Sequence, residues 1–154
     1  MAHRVTKTYG HELGLSATFR QPQARSHCRF IHGYALGFKV VFEANELDDN
    51  GWVKDFGGLK PLKQRLCNNF DHKMLLAEDD PYLKHLLDAM QFDGEPLLAD
   101  IVVVPKVGCE SFAQMVWGWA DELITPGERL RGVRLVEVEC REHAGNAASY
   151  LGKY

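Results

Sequence analysis

Cys28 and His32 stand four residues apart in the run Cys28-x-x-x-His32-Gly33-Tyr34. An ionised thiol is a nucleophile or base, and an imidazole carries protons or ligates metal near neutral pH. Asp71-His72 places a carboxylate beside a second imidazole, a pairing that orients the ring for proton exchange. Glu110 and Glu142 add carboxylates next to apolar segments. Taken singly these are ordinary residues. Most free cysteines are small buried hydrophobes, and a lone histidine is seldom a ligand. Chemistry requires the fold to bring them together.

The elements around them are readable. Leu36, Phe38, Val40 and Phe42 alternate through residues 34–44, the period of a half-buried strand, so Cys28 and His32 sit at a strand mouth. Upstream, Val5, Lys7, Tyr9, His11, Leu13, Leu15, Ala17 and Phe19 share one parity and predict one long first strand. The polar stretch 20–27 then reads as a loop. Phe56, Leu59, Leu62, Leu66 and Phe70 recur three or four apart, predicting an amphipathic helix N-capped by Asp55. Pro61 within that pattern demands a kink or a later start.

Asp71-His72 closes this helix and leads into the polar stretch 77–81. A short helix over 82–90, a turn at Asp93-Gly94-Glu95-Pro96 and an extended run over 101–104 follow. Phe112, Met115, Val116, Trp119 and Leu123 mark a second amphipathic helix, with Glu110 at its start and Pro126-Gly127 at its end. Val136, Val138, Cys140 and Glu142 share a strand parity, which points the Glu142 carboxylate with apolar side chains. Burying an unpaired carboxylate costs several kcal/mol. Glu142 therefore calls for a cation or for a ligand presenting parallel N–H groups. Gly145-Asn146 is a hairpin turn into a last strand over 147–151. The order predicts an α+β domain over 1–154: a four-stranded antiparallel sheet with two main helices on one face.

Composition excludes several classes. The chain has 154 residues, 45% hydrophobic and 25% charged, with a formal net charge of −3. That is an ordinary globular balance, with no basic run to attract nucleic acid. No apolar stretch approaches membrane-spanning length, and the first residues lack an apolar signal core. Cys28, Cys67, Cys109 and Cys140 are widely spaced, as expected of reduced thiols in a cytoplasmic protein.

Five blocks in order resemble a family. They are Leu15-Ser-Ala-Thr-Phe19, Cys28-x-x-x-His32-Gly33-Tyr34, Gly51-Trp-Val-Lys-Asp55-Phe56-x-x-Leu59-Lys60, Phe70-Asp71-His72-x-x-Leu75 and Glu142-x7-Tyr150. Together they look like the 6-pyruvoyl- and 6-carboxytetrahydropterin synthases. The resemblance implies the tunnelling fold, whose subunits assemble into an oligomeric barrel, commonly a hexamer. It implies a pterin substrate, dihydroneopterin triphosphate, from which triphosphate is eliminated while protons move along the side chain. By position it makes Cys28 the catalytic cysteine, Asp71 and His72 the catalytic Asp-His pair, and Glu142 the anchor of the amino-pyrimidine edge. Glu110 falls at the substrate-binding glutamate that opens helix two.

The resemblance also implies zinc held by three histidines. Those positions read Phe19, His32 and Tyr34. Phe19 has no donor atom and tyrosine is an uncommon zinc ligand, so only His32 keeps the expected chemistry. His11, His27 and His143 are further imidazoles at positions that match none of the three. Three readings follow: the lyase, a zinc-less pterin-binding paralogue, and a metal-free aldolase-like pterin enzyme.

Overall fold

The computed structural model describes residues 1–90 and 94–153. Strand β3 (His32–Ala44) is the one its alternation predicts, and its inward residues Leu36, Phe38, Val40 and Phe42 are fully buried. The single long first strand is corrected to two. Strands β1 (His3–Tyr9) and β2 (Leu15–Phe19) lie in tandem along one side of β3, both antiparallel to it. A 3-10 turn at His11–Leu13 separates them, closed by Gly14 at φ 71, a left-handed position that suits glycine. The parity survived because both pieces face the same core.

Asp55 caps a 3-10 turn (Phe56–Leu59), its carboxylate accepting the Gly57 N–H at 2.8 Å. Helix α1 (Lys60–Phe70) begins only after that turn, with Pro61 in its first turn. There proline's missing N–H has no helical partner to lose, so the helix starts late and does not kink.

The sheet differs most from expectation. It has seven strands in mixed orientation, ordered β5-β4-β2-β3-β6-β7 with β1 on β3, where four antiparallel strands were expected. Strand β4 (Lys73–Ala77) runs parallel to β2, and β5 (Asp100–Val104) runs parallel to β4. Met74, Leu75, Leu76 and Ala77 are all buried, so β4 has no in–out alternation to reveal it. Between these strands lies the short helix α2 (Leu83–Ala89). The turn expected at Asp93-Gly94-Glu95-Pro96 lies partly outside the described residues.

Helix α3 (Cys109–Asp121) and the short α4 (Pro126–Leu130) precede the hairpin of β6 (Arg134–His143) and β7 (Asn146–Leu151). One chain of rings ties both long helices to the sheet. Phe70 of α1 lies 4.9 Å from Phe38 and 5.4 Å from Phe112 of α3, and Phe112 meets Phe19 edge-on at 5.2 Å. The opposite sheet face is charged: Lys39 pairs with Glu137 and Glu139, and Glu43 sits between Arg4 and Arg134. No helix among the described residues is long and apolar enough to cross a membrane.

Candidate functional site

The aromatic chain ends at Phe19, where a pocket of about 460 Å³ opens. Five parts of the fold build its wall: the end of β2, the loop before β3, the start of β3, the N-terminus of α3 and the β6–β7 hairpin. Cys28, His32, Tyr34, Glu110 and Glu142 all line it, together with Phe19 and Cys109.

Local bonds explain why these residues arrive there. The Cys28 carbonyl accepts the Gln21 backbone N–H at 2.9 Å, and Ser26 caps the short turn at His27–Arg29 through the Cys28 N–H. The Gln21 side-chain amide donates to the Val107 carbonyl at 2.8 Å, tying this loop to the segment before α3. Gly33 is glycine because β2 passes so closely: a Cβ there would meet the Ala17 carbonyl oxygen at 2.8 Å. The β6–β7 pairing register shifts between Arg141 and His143, at Glu142, which lines the pocket.

Electrostatics sort the groups. His32 Nδ1 donates to the Phe30 carbonyl at 2.7 Å, which leaves Nε2 as the acceptor of the neutral ring. Burial, then the facing charges of Glu142, Cys28 and Cys109, raise the Tyr34 phenol above its ordinary pKa of 10. Beneath the pocket, Cys140 is fully buried; its hydrogen-bonded neighbour Cys109, together with burial, drives its thiol well above the usual range. Glu142 is half-buried, and its carboxylate makes no hydrogen bond or ion pair among the described residues. The sequence called for a partner, and the described residues supply none. The open side is the pocket.

Asp71 and His72 are not in this wall. Asp71 caps the C-terminus of α1, and its carboxylate accepts from His72 Nδ1 at 2.7 Å. His72 has left-handed backbone (φ 53) and a side chain 77% exposed. The dyad is formed and oriented, but it faces solvent. His27, noted in the sequence only as a further imidazole, also lines the pocket, as do Gln21 and the hairpin residues Asn146, Ala147 and Ala148, for which sequence patterns gave no site signal. Only the turn at Gly145-Asn146 was visible, and it read as a connection.

The expected zinc site does not fit these residues. Phe19, His32 and Tyr34 are neighbours, but they pack as rings: 5.4 Å from Phe19 to His32, 5.5 Å from His32 to Tyr34 and 6.0 Å from Phe19 to Tyr34. They offer one imidazole where three would be needed. No cluster of three His, Cys, Asp or Glu side chains able to hold a metal occurs among the described residues.

The mixed sheet with two helices on its core face is shared with solved structures. An uncharacterized protein from Wolinella succinogenes superposes with a TM-score of 0.82 at 21% identity, covering 99% of both chains. The 6-pyruvoyl tetrahydropterin synthase of Plasmodium vivax gives a TM-score of 0.67 at 16% identity over 97% of both chains. The fold is thus that of the pterin synthases. The sequence model of the 6-pyruvoyl tetrahydropterin synthase family matches residues 2–153, and the chain belongs to that family. A 6-carboxy-5,6,7,8-tetrahydropterin synthase from Rickettsia conorii is 39% identical over 69 residues, 44% of this chain and 50% of that protein. The match thus spans half the length of that relative. The enzyme of the same name from Aquifex aeolicus is 24% identical over 151 residues, 96% of this chain and 90% of that protein.

Proposed function

We propose that this chain is a lyase acting on dihydroneopterin triphosphate or a closely related pterin, eliminating triphosphate as protons move along the side chain. The observation that carries the reading is the meeting of Glu142 and Cys28, from distant parts of the chain, in one pocket of about 460 Å³. That volume suits a small molecule. Glu142, an acceptor with no hydrogen-bond or ion-pair partner among the described residues, takes the paired N–H groups of the amino-pyrimidine edge. Glu110, in the first turn of α3, contributes to binding in the same pocket. Cys28 takes a proton from a side-chain carbon; the C–O bond then breaks and triphosphate leaves with the electron pair. The solvent-facing Asp71–His72 dyad serves the pocket of a neighbouring copy in a homo-oligomer, returning the proton to the pterin side chain. No step is assigned to zinc, because the residues at its positions do not fit it.

The packed rings of Phe19, His32 and Tyr34 favour a second reading, in which the pocket binds a pterin without this elimination or runs a metal-free aldolase-like reaction. Incubation of the purified protein with dihydroneopterin triphosphate decides between them. Release of inorganic triphosphate supports the lyase. Tight binding with the substrate recovered intact supports the second reading. No binding removes both.

A further inference from the structure

We infer that Tyr34 is a direct substrate contact in this pocket, its hydroxyl donating a hydrogen bond to the oxygen on the pterin side-chain carbon next to the ring. The inference rests on the pterin reading above and deepens it.

The ring is held from three strands. It lies 6.0 Å from Phe19 on β2, 5.5 Å from His32 on β3 and 6.0 Å from His143 on β6. Its backbone pairs directly with Ala17 across the β2–β3 ladder. Yet among the described residues the hydroxyl has no hydrogen-bond partner. A half-buried tyrosine normally finds one, because its O–H is costly to leave unmade. A phenol fixed by packing but left unbonded on a pocket wall is preorganised for a ligand.

Among the side-chain donors of the wall, Tyr34 is set apart by being both packed and unengaged. The Gln21 amide is engaged by Val107, His32 Nδ1–H by Phe30, and His27 and Asn146 stand on exposed segments. Ionised Glu110 and Glu142 only accept, and thiols are weak donors. An uncharged phenol is a good donor and, with Glu142, makes a complementary pair: acceptor for the ring N–H groups, donor for a side-chain oxygen. The chain has placed a neutral O–H where its relatives' pattern would place a metal ligand.

Two pterins that differ by one hydroxyl test this: 6-hydroxymethylpterin and 6-methylpterin, each titrated by its own fluorescence into the full chain. The wild type is expected to prefer the hydroxymethyl compound about 5- to 10-fold, as one hydrogen bond provides. Tyr34→Phe should bring that ratio to about 1 while leaving the 6-methylpterin Kd within about twofold, since the ring packing is kept. The unchanged 6-methylpterin affinity also shows that the variant folds. A preference that survives Tyr34→Phe overturns the inference, and so does an equal loss for both pterins, which would mean packing alone. A wild type that binds both equally overturns it too. A wild type that binds neither fails differently: the pterin reading itself falls, and the role of Tyr34 with it.

Discussion

Phe19 and His32 face each other directly across the β2–β3 ladder, their ring centroids 5.4 Å apart. Tyr34, two residues along β3, completes a triangle with sides of 5.4, 5.5 and 6.0 Å. The backbone therefore still brings together the positions at which the family resemblance implies three imidazoles. What has changed is the side chains, and three rings now pack where donor atoms would converge. Phe19 also belongs to the core, since it is buried and meets Phe112 edge-on. The replacement thus joins the site to the hydrophobic interior.

Glu142→Gln should weaken pterin binding without weakening the fold. An amide presents one acceptor and one misplaced donor to a ligand edge that needs two acceptors. The expected loss is on the order of 1.5–3 kcal/mol. Because the carboxylate has no hydrogen-bond or ion-pair partner among the described residues, the Tm should move by less than about 2 °C, the usual scale for surface changes. Calorimetric titration showing unchanged pterin affinity would take Glu142 out of the site.

Much of this site could be read from sequence because strands advertise themselves by parity. The alternation in β3 put Cys28 and His32 at its mouth, and the parity of Val136, Val138, Cys140 and Glu142 turned a carboxylate inward. Both signals are local. What stayed hidden was either uniform or assembled at long range. The buried run Met74 to Ala77 has no alternation, so β4 escaped and with it the parallel half of the sheet. Gln21 reaches Val107 across 86 positions of sequence, a bond no local pattern encodes. Asp71–His72 was legible as a pair, and its hydrogen bond confirms the pairing, but its distance from the pocket is a matter of topology.

Lys54, within the block Gly51-Trp-Val-Lys-Asp55-Phe56, is structural. Its side chain is 2% exposed, and Nζ donates to the Leu123 carbonyl at 2.8 Å and to Glu128 at 2.9 Å. Lys54→Met should destabilise by about 1–3 kcal/mol, because it removes a buried, hydrogen-bonded ammonium and leaves the half-buried Glu128 carboxylate without its cation. Burial alone would raise Glu128, but Lys54 and the Thr125 amide outweigh it and hold the carboxyl below its ordinary 4.5. A lowered folded-state pKa stabilises above pH 4.5, and that stability is lost as pH falls through the folded value. The gap between wild type and variant in urea unfolding should therefore narrow below pH 4.5. A gap that widens there would reverse the assignment.

The chain should be a homo-oligomer with sites shared between copies. The sheet ends at β5 and β7 with unpaired outer edges, and β1 has β3 as its only partner among the described residues. Open edges invite pairing. Light scattering should give a multiple of 17.4 kDa, with six copies the expectation from the family. The exposed dyad makes a sharper test. Cys28→Ser should abolish triphosphate release and His72→Ala should stop it after a single turnover; co-expression of the two should restore part of the sustained release, because some pockets then receive an intact Cys28 and an intact His72. A dilution-stable monomer, or co-expressed variants as inactive as either alone, would defeat the shared-site arrangement.

Zinc is the remaining issue, and the geometry around Phe19 makes it testable in both directions. Protein purified without added metal should carry well under one zinc per chain, since one imidazole does not hold the ion against dialysis. Phe19→His with Tyr34→His would put three imidazoles on the triangle whose sides are already 5.4 to 6.0 Å. That variant should retain zinc near one per chain after overnight dialysis against chelator. It should also be less stable before loading, because an imidazole replaces a buried phenyl ring packed on Phe112. Burying a polar ring without a partner costs on the order of 1–3 kcal/mol. Metal binding to the folded state should return that stability, so the Tm of the double variant should rise with added zinc while the wild type stays level. Stoichiometric, chelator-resistant zinc in the unaltered chain would show that other residues ligate it. His27, which already lines the pocket, would be the first to replace.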